Sequence, residues 1–233
     1  MTTVACIQAR TGSQRLPGKV VAEILGQPML GLHIDRVLRS SRIDRLIIAT
    51  GDLPANDAVC EVARSKGVDC FRGDEDDVLD RFYRAVRPHA PDVVIRLTGD
   101  SPIVDGEFID MVLDAFVDVD YADTTIGKTF PLGLSVEVFT FAALEAAWRE
   151  TTGPWREHVT PFIYRNPERF RLLHLRDDVD RHHLRLTVDT PEDLVVVRTL
   201  FEQAGDAPWR ELVRLAEEHP ELQALNRHVV QRT

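Results

Sequence analysis

Cysteine is scarce in this chain. Cys6, Cys60 and Cys70 are the three present, with no C-x-x-C pair and no neighbouring histidine. An odd count at those spacings speaks against a disulfide framework or a zinc site and fits reduced thiols. Long apolar runs are missing too, since no stretch approaches the ~20 residues a membrane span needs. The start, MTTVACIQAR, lacks a basic segment followed by an apolar one. The expected compartment is therefore the cytoplasm, with no membrane partner. Positive charge is in deficit: the net charge is −10, which argues against a broad nucleic-acid-binding face. A G-x-S-x-G elbow and a Cys–His pair are also lacking, so nothing points to a covalent nucleophile.

What remains is a soluble composition, 44% hydrophobic and 28% charged over 233 residues. That length supports one well-buried core and does not demand a second domain. The charge is unevenly spread. Residues 1–45 carry seven Lys or Arg against three acids, a local +4, which leaves −14 on the rest. A cationic site in an otherwise acidic chain suits a small polyanion.

TVACIQA, RLIIAT (45–50) and DVVIRLT (92–98) are β-branched runs without strict alternation, the pattern of strands covered on both faces. Helical patterns lie between and after them, at 28–41, 54–67, 77–88 and 106–116. Strands alternating with helices of this length predict βαβ units and a mostly parallel sheet in an α/β fold. The second half is less regular. Strands are expected at 121–125, 133–140, 170–175 and 184–188, and helices at 141–150, 157–167, 191–203 and 208–218. One domain over 1–233 is expected, with an irregular middle at about 120–175.

The first strand leads into QARTGSQRLPGK, where Arg10, Arg15 and Lys19 sit among Gly12, Ser13, Pro17 and Gly18. Small residues let backbone N–H groups approach a phosphate chain, while Arg offers forked donors and Lys a compact charge. It is not a Walker A loop, because Val20 stands where Ser or Thr would follow the lysine, and there is no G-x-G-x-x-G.

ARTGSQRLPGK resembles the signature A-R-x-x-S-x-R-x-P-x-K of the cytidylyltransferases that activate acidic sugars, the octulosonate and acylneuraminate enzymes. RLTGDSP (96–102), FRGDEDDVLDRF (71–82) and REHVTPFIYRNPERF (156–170) are similar to the spore-coat polysaccharide biosynthesis branch. The resemblance implies a Rossmann-like three-layer α/β/α sandwich of the nucleotide-diphospho-sugar transferase type. It implies a loop of Ala9, Arg10, Gly12, Ser13, Arg15 and Lys19 that holds CTP. It also implies magnesium on Asp100 and Asp189, a sugar or sugar-acid acceptor, and a homodimer. The acylneuraminate enzymes carry a second Asp where this chain has Thr187, so one acid from each strand end is expected, as in the octulosonate branch.

The residues support that picture independently. Asp100 follows one strand and Asp189 a later one, and ligands of open α/β sheets bind beyond the carboxyl ends of strands. Carboxylates and phosphate oxygens are what Mg²⁺ takes. Thr190, Pro191 and Asp193 read as a capping box instead. The five acids at 74–80 read as a solvated helix start. Arg72 and Arg81 flank these acids and are further candidates for the nucleotide, ranked below the loop cations, which are expected to be exposed. His158 could face the acceptor, as could Glu137, although Ser135 replaces an Asp frequent in relatives. Phe130, Trp148, Trp155, Phe162 and Tyr164 mark the middle segment as a candidate subunit interface.

The expected activity is CMP transfer from CTP with release of pyrophosphate. Two rivals stand. An A-type-fold glycosyltransferase would want a D-x-D motif, and Asp118 with Asp120 supplies one, beyond a helix. A non-catalytic nucleotide-binding protein would bind without releasing pyrophosphate.

Overall fold

The computed structural model describes residues 1–231. In β1 (Thr3–Gln8) the side chains alternate between two cores: Ala5 and Ile7 enter one cluster, Val4 and Cys6 the other. A strand buried on both faces must be covered by helices on both. A small hairpin of β2 (Glu23–Ile24) and β3 (Gln27–Pro28) leads to α1 (Met29–Val37). Then come β4 (Arg45–Gly51), α2 (Asp57–Ser65), β5 (Asp69–Gly73), α3 (Val78–Val86), β6 (Val93–Thr98) and α4 (Gly106–Ala115). The second half adds β7 (Tyr121–Asp123), β8 (Val136–Thr140), α5 (Phe141–Glu150), α6 (Pro161–Tyr164) and β9 (Leu172–His174). It closes with α7 (Pro191–Ala204), α8 (Trp209–Glu218) and α9 (Pro220–Asn226).

The main sheet has the order β5-β4-β1-β6-β8-β7-β9, and β8 alone runs against the others. Helices α1, α2, α4, α7, α8 and α9 pack one face, and α3, α5 and α6 the other. This is the mostly parallel α/β sheet that the alternating pattern predicts, in the three-layer sandwich that the resemblance implies. From β1 the chain winds through β4 to β5 under α1 and α2. It then crosses the opposite face in α3 to reach β6 on the far side of β1. Such a reversal opens a crevice beyond the carboxyl ends of the two central strands. β1 and β6 end in register, Gln8 opposite Thr98. A Cβ on Gly99 would meet Cβ of Ala9 at 3.0 Å and the Gln8 carbonyl at 3.1 Å, so glycine lets the two loops leave the sheet in contact.

The predicted elements need correction in three places. Residues 157–167 form no interrupted helix. A 3₁₀ turn ends at Glu157, and Pro161 begins the short α6, where its missing N–H is no loss. Residues 184–188 are extended but make a single bridge, Leu132 to Arg185, because loops rather than strands flank them. β5, the β2–β3 hairpin and α9 are additional. β5 lies at the sheet edge with only partial burial, so its apolar signal is weak. All three cysteines are free thiols, and burial pushes the Cys6 thiol up to about 12.

The aromatic middle serves this chain's own core for the most part. Phe130 meets Phe108 edge-on at 5.3 Å, Trp148 stacks on Tyr83 at 4.3 Å, and Tyr164 lies 6.1 Å from Tyr121. Trp155 is the exception, 52% exposed, with Arg165 4.3 Å above its ring.

Gly133 carries the loop that aligns residues 184–189. It has φ +108°, and an added Cβ would lie 2.5 Å from both the Leu186 carbonyl carbon and the Thr187 nitrogen. Gly133→Ala should therefore lower stability by at least ~1–3 kcal/mol, the usual scale of overpacking. Gly153→Ala is the control: it also has positive φ but nothing within 4 Å, and it should lose only about 1 kcal/mol. Thermal melts of the two variants make the comparison; equal losses would mean that backbone conformation, not contact, sets the cost at Gly133.

Candidate active site

The loop after β1 is held from behind. Thr11 donates its N–H to Asn56 Oδ1 at 2.9 Å and its hydroxyl to the Ala55 carbonyl at 2.9 Å. Asn56 in turn donates to Glu75 at 3.0 Å, and Arg10 reaches the same carboxylate at 3.4 Å. Within the loop, the Ser13 and Gly18 N–H groups both donate to the Thr11 carbonyl at 2.9 Å. Gly18, left-handed at φ 72°, then turns the chain into a 3₁₀ segment that begins with Lys19.

Lys19 is the centre of the site. Its ammonium lies 2.8 Å from Asp189 Oδ1 and 3.1 Å from Asp100 Oδ2, and it donates to the Val188 carbonyl at 2.8 Å. The loop cations were expected to be exposed. Lys19 is buried and Arg15 half-buried, because both are drawn onto acids; Arg15 binds Asp189 Oδ2 at 2.9 Å. Arg10 alone keeps substantial exposure. Burial by itself would lower the Lys19 pKa, but Asp100 and Asp189 outweigh it and hold the ammonium above its usual range. Burial likewise opposes ionisation of Asp100, yet Lys19 and local hydrogen bonds keep the carboxyl below its usual range. A depressed carboxyl stabilises the fold above its unfolded pKa and loses that effect as pH falls through the folded value. A raised ammonium does so below its unfolded pKa and loses it as pH rises through the folded value. The pair thus stays ionised throughout the neutral range.

Asp189 is positioned by residues that local pattern does not assign to the site. Arg185 binds it at 3.0 Å and also grips Asp193 with two contacts, at 2.8 and 3.0 Å. Asp193 forms the predicted capping box with Thr190, and in addition accepts the Asp189 N–H at 3.0 Å and Asn226 Nδ2 at 2.9 Å. It is fully buried and is more than a cap. The i,i+4 and i,i+8 spacing of Arg185 to these acids was visible, but a turn joins them and periodicity does not reveal a turn.

Ala9, Arg10, Gly12, Ser13, Arg15 and Lys19 all line one cleft of about 500 Å³, together with Asp100 and Asp189. Arg72 does not. It binds Asp57 at 2.5 Å and the Asp52 and Leu53 carbonyls, because the β5 pleat turns it toward α2. Arg81 lines the cleft instead, with a buried Nε that lacks a partner. The acids at 74–80 do build a helix start, with Asp77 accepting the Asp80 N–H at 2.9 Å. Asp120 is bound by Arg171 at 3.1 Å on the far part of the sheet, so the D-x-D pair does not join the cleft. A second cavity of about 320 Å³ adjoins the cleft and shares Arg96, Thr98, Asp100 and His158 with it. Glu137 lines this second cavity, buried and bonded to Arg96, to the Tyr121 hydroxyl at 2.6 Å and to the Thr160 hydroxyl at 2.6 Å.

Cations along a glycine-bearing loop, two carboxylates at adjoining loop ends and a neighbouring hydroxyl-lined cavity define a nucleotidyltransferase on this fold. The family model described as "Cytidylyltransferase" matches residues 4–223, and the chain belongs to that family. It is similar to the uncharacterized protein MJ1063 of Methanocaldococcus jannaschii, 37% identical over 100% of this chain and 98% of that protein. It is also similar to the spore coat polysaccharide biosynthesis protein SpsF of Bacillus subtilis, 35% identical over 92% of this chain and 94% of the other. A cytidylyltransferase structure from Leptospira borgpetersenii superposes with a TM-score of 0.91 at 27% identity, covering 100% of both chains.

Lys19→Ala should cost about 3 kcal/mol or more, because it leaves two facing carboxylates without their shared cation. Arg15→Ala should cost under about 1 kcal/mol, since Asp189 keeps Lys19 and Arg185. Millimolar Mg²⁺ should raise the melting temperature of Lys19→Ala more than that of wild type, as binding to the folded state alone requires. Equal shifts would mean that the two acids do not share a magnesium ion.

Proposed function

We propose that the protein transfers CMP from CTP to a hydroxyl of a sugar or sugar-acid acceptor, with release of pyrophosphate and with Mg²⁺ as cofactor. The observation that carries this is the Lys19 ammonium holding Asp100 and Asp189 together in the cleft that Arg10 and Arg15 also line. Two carboxylates converging on one cation suit Mg²⁺, which takes one or two carboxylates and completes its shell with phosphate oxygens and water. Asp100 and Asp189 would hold it. When bound, the ion supplies fixed positive charge beside the phosphate oxygens.

The chain's own residues account for the rest. Arg10, Arg15 and Lys19 neutralise the triphosphate, with Arg81 in reach, while the Ser13 and Gly12 part of the loop accommodates its backbone approach. The acceptor oxygen attacks the α-phosphorus in line. The bond from that phosphorus to the bridging oxygen breaks, pyrophosphate leaves with the electron pair, and the hydroxyl proton passes to water. Charge stabilisation in a preformed cleft is the main contribution. Surface polysaccharide or glycoconjugate synthesis in the cytoplasm is the setting, a reading supported by the likeness to the spore coat protein. The chain acts as one catalytic unit over 1–233, paired as a homodimer through the middle segment around Trp155.

Asp100→Asn and Asp189→Asn should each lose most Mg²⁺-dependent pyrophosphate release, and the double variant should be little worse than either, because groups that act as a unit are non-additive. Near-normal turnover in both single variants would sink the proposal. For the assembly, light scattering at micromolar concentration should give about twice the 26.4 kDa chain mass, and Trp155→Glu should halve it; a monomeric wild type rejects the dimer.

A further inference from the structure

Two of the three thiols meet outside the cleft and its neighbouring cavity. Cys60 lies on α2 and Cys70 on β5, and their sulfurs are 2.6 Å apart. Carbon atoms that are not bonded rest about 3.5–4.0 Å apart, and sulfur is the larger atom. The two thiols are therefore inside ordinary contact. The chain between them turns at Gly67. Both are half-buried, whereas Cys6 is fully enclosed in the sheet.

A cavity of about 380 Å³ opens on the pair. Arg64, Val68, Asp69 and Arg72 complete its lining. Asp69 is paired with Arg45 at 2.8 Å, and two guanidiniums remain at the wall. Cations beside a thiol favour its thiolate, the form that attacks a disulfide. They also suit a small disulfide that carries carboxylates. Burial and the neighbouring Cys60 push the Cys70 thiol well above its usual range, so Cys60 begins the exchange and Cys70 completes it.

We infer that Cys60 and Cys70 are a reversible oxidation site, at which an anionic low-molecular-weight disulfide converts the two thiols into one intrachain bond tying α2 to β5. The Cys60 thiolate attacks one sulfur of the small disulfide, whose S–S bond breaks, and the leaving thiolate takes the electron pair and a proton. Cys70 then gives up its proton and attacks the Cys60 sulfur of the mixed disulfide, and the second small thiol leaves. Two protein thiols are oxidised, and one small disulfide is reduced to two thiols. In a reducing compartment such pairs are transient or redox-sensing, which agrees with the free thiols seen in the structure.

The site stands apart from the nucleotidyltransferase reading, since neither cysteine lines the cleft. The tie would nonetheless join the two elements that brace the loop after β1. Asn56, just ahead of α2, receives the Thr11 N–H and donates to Glu75, two residues past β5.

The test takes the full chain, reduced and then freed of reductant, and incubates it with excess oxidised glutathione at mildly alkaline pH. The protein is unfolded without reductant, alkylated with iodoacetamide and weighed intact. One of its three thiols should be alkylated, and a digest should contain a crosslinked peptide joining Cys60 to Cys70. Dithiothreitol should restore all three. The oxidised protein should also melt roughly 3–10 °C higher, because the bond restricts the unfolded chain. Three alkylated thiols overturn the inference. So does a glutathione adduct that persists on either cysteine, or a bond through Cys6 or between two chains. An oxidised protein that melts no higher overturns the tie. Cys60→Ser and Cys70→Ser should each abolish the rise on oxidation, and a rise equal to that of wild type in either also overturns the inference. If a variant does not fold, the thiol count of the wild type decides alone.

Discussion

One ammonium joins three distant parts of this chain. Lys19 binds Asp100 across 81 residues and Asp189 across 170, and it also takes the Val188 carbonyl. Two carboxylates at adjoining loop ends repel unless a cation lies between them, and the sheet rim closes around that requirement. The Val188 N–H donates to the Asp100 carbonyl at 2.8 Å, and the Thr187 hydroxyl to the same oxygen at 3.2 Å. The loop after β6 and the segment before α7 are therefore in direct contact, and the cationic loop after β1 is pinned onto both.

The surroundings of that contact explain why so many charges can be buried at once. Asp189 is met by Arg15, Lys19 and Arg185, and Asp193 by Arg185 and Asn226. Each carboxylate has its lone pairs satisfied, which is the condition under which a buried ionic network holds a unique geometry rather than loosening the core. Asp193 shows how a residue can have two roles: it terminates the helix backbone with Thr190 and fixes the main chain of the acid beside it.

A second ionic pair lies where the cleft and its neighbouring cavity meet. Arg96 and Glu137 face each other across the antiparallel β6–β8 pairing, so the reversed strand β8 brings a carboxylate to a wall that parallel neighbours would have left to Arg96 alone. The cleft on the β1 side is lined by more cations than acids, and the cavity on the β8 side by hydroxyls together with the Arg96–Glu137 pair and Asp100.

Much of this was legible from local pattern. β1, β4 and β6 are apolar without alternation because both their faces are covered, and the helices between them show their buried stripe at the right period. Arg10, Arg15 and Lys19 stand out because cations gathered among small residues after a strand suit an anion and little else. Asp100 and Asp189 stand out because each follows a run with the residue pattern of a strand. Local pattern could not show where charges terminate. Arg72 looks as available as Arg81, but the pleat of β5 turns the first toward Asp57, while the second, on α3, lines the cleft. Lys19 looks exposed until Asp100 and Asp189 are brought to it. Glu137 is one acid in a strand until β6 is laid beside it with Arg96 in register. The layers, the strand ends and the chemical groups at the rim are written in the order of residues, because burial period and turn chemistry are local. Which cation meets which carboxylate is settled only on folding, because an ion pair depends on distance in space and its partners here lie tens to hundreds of residues apart.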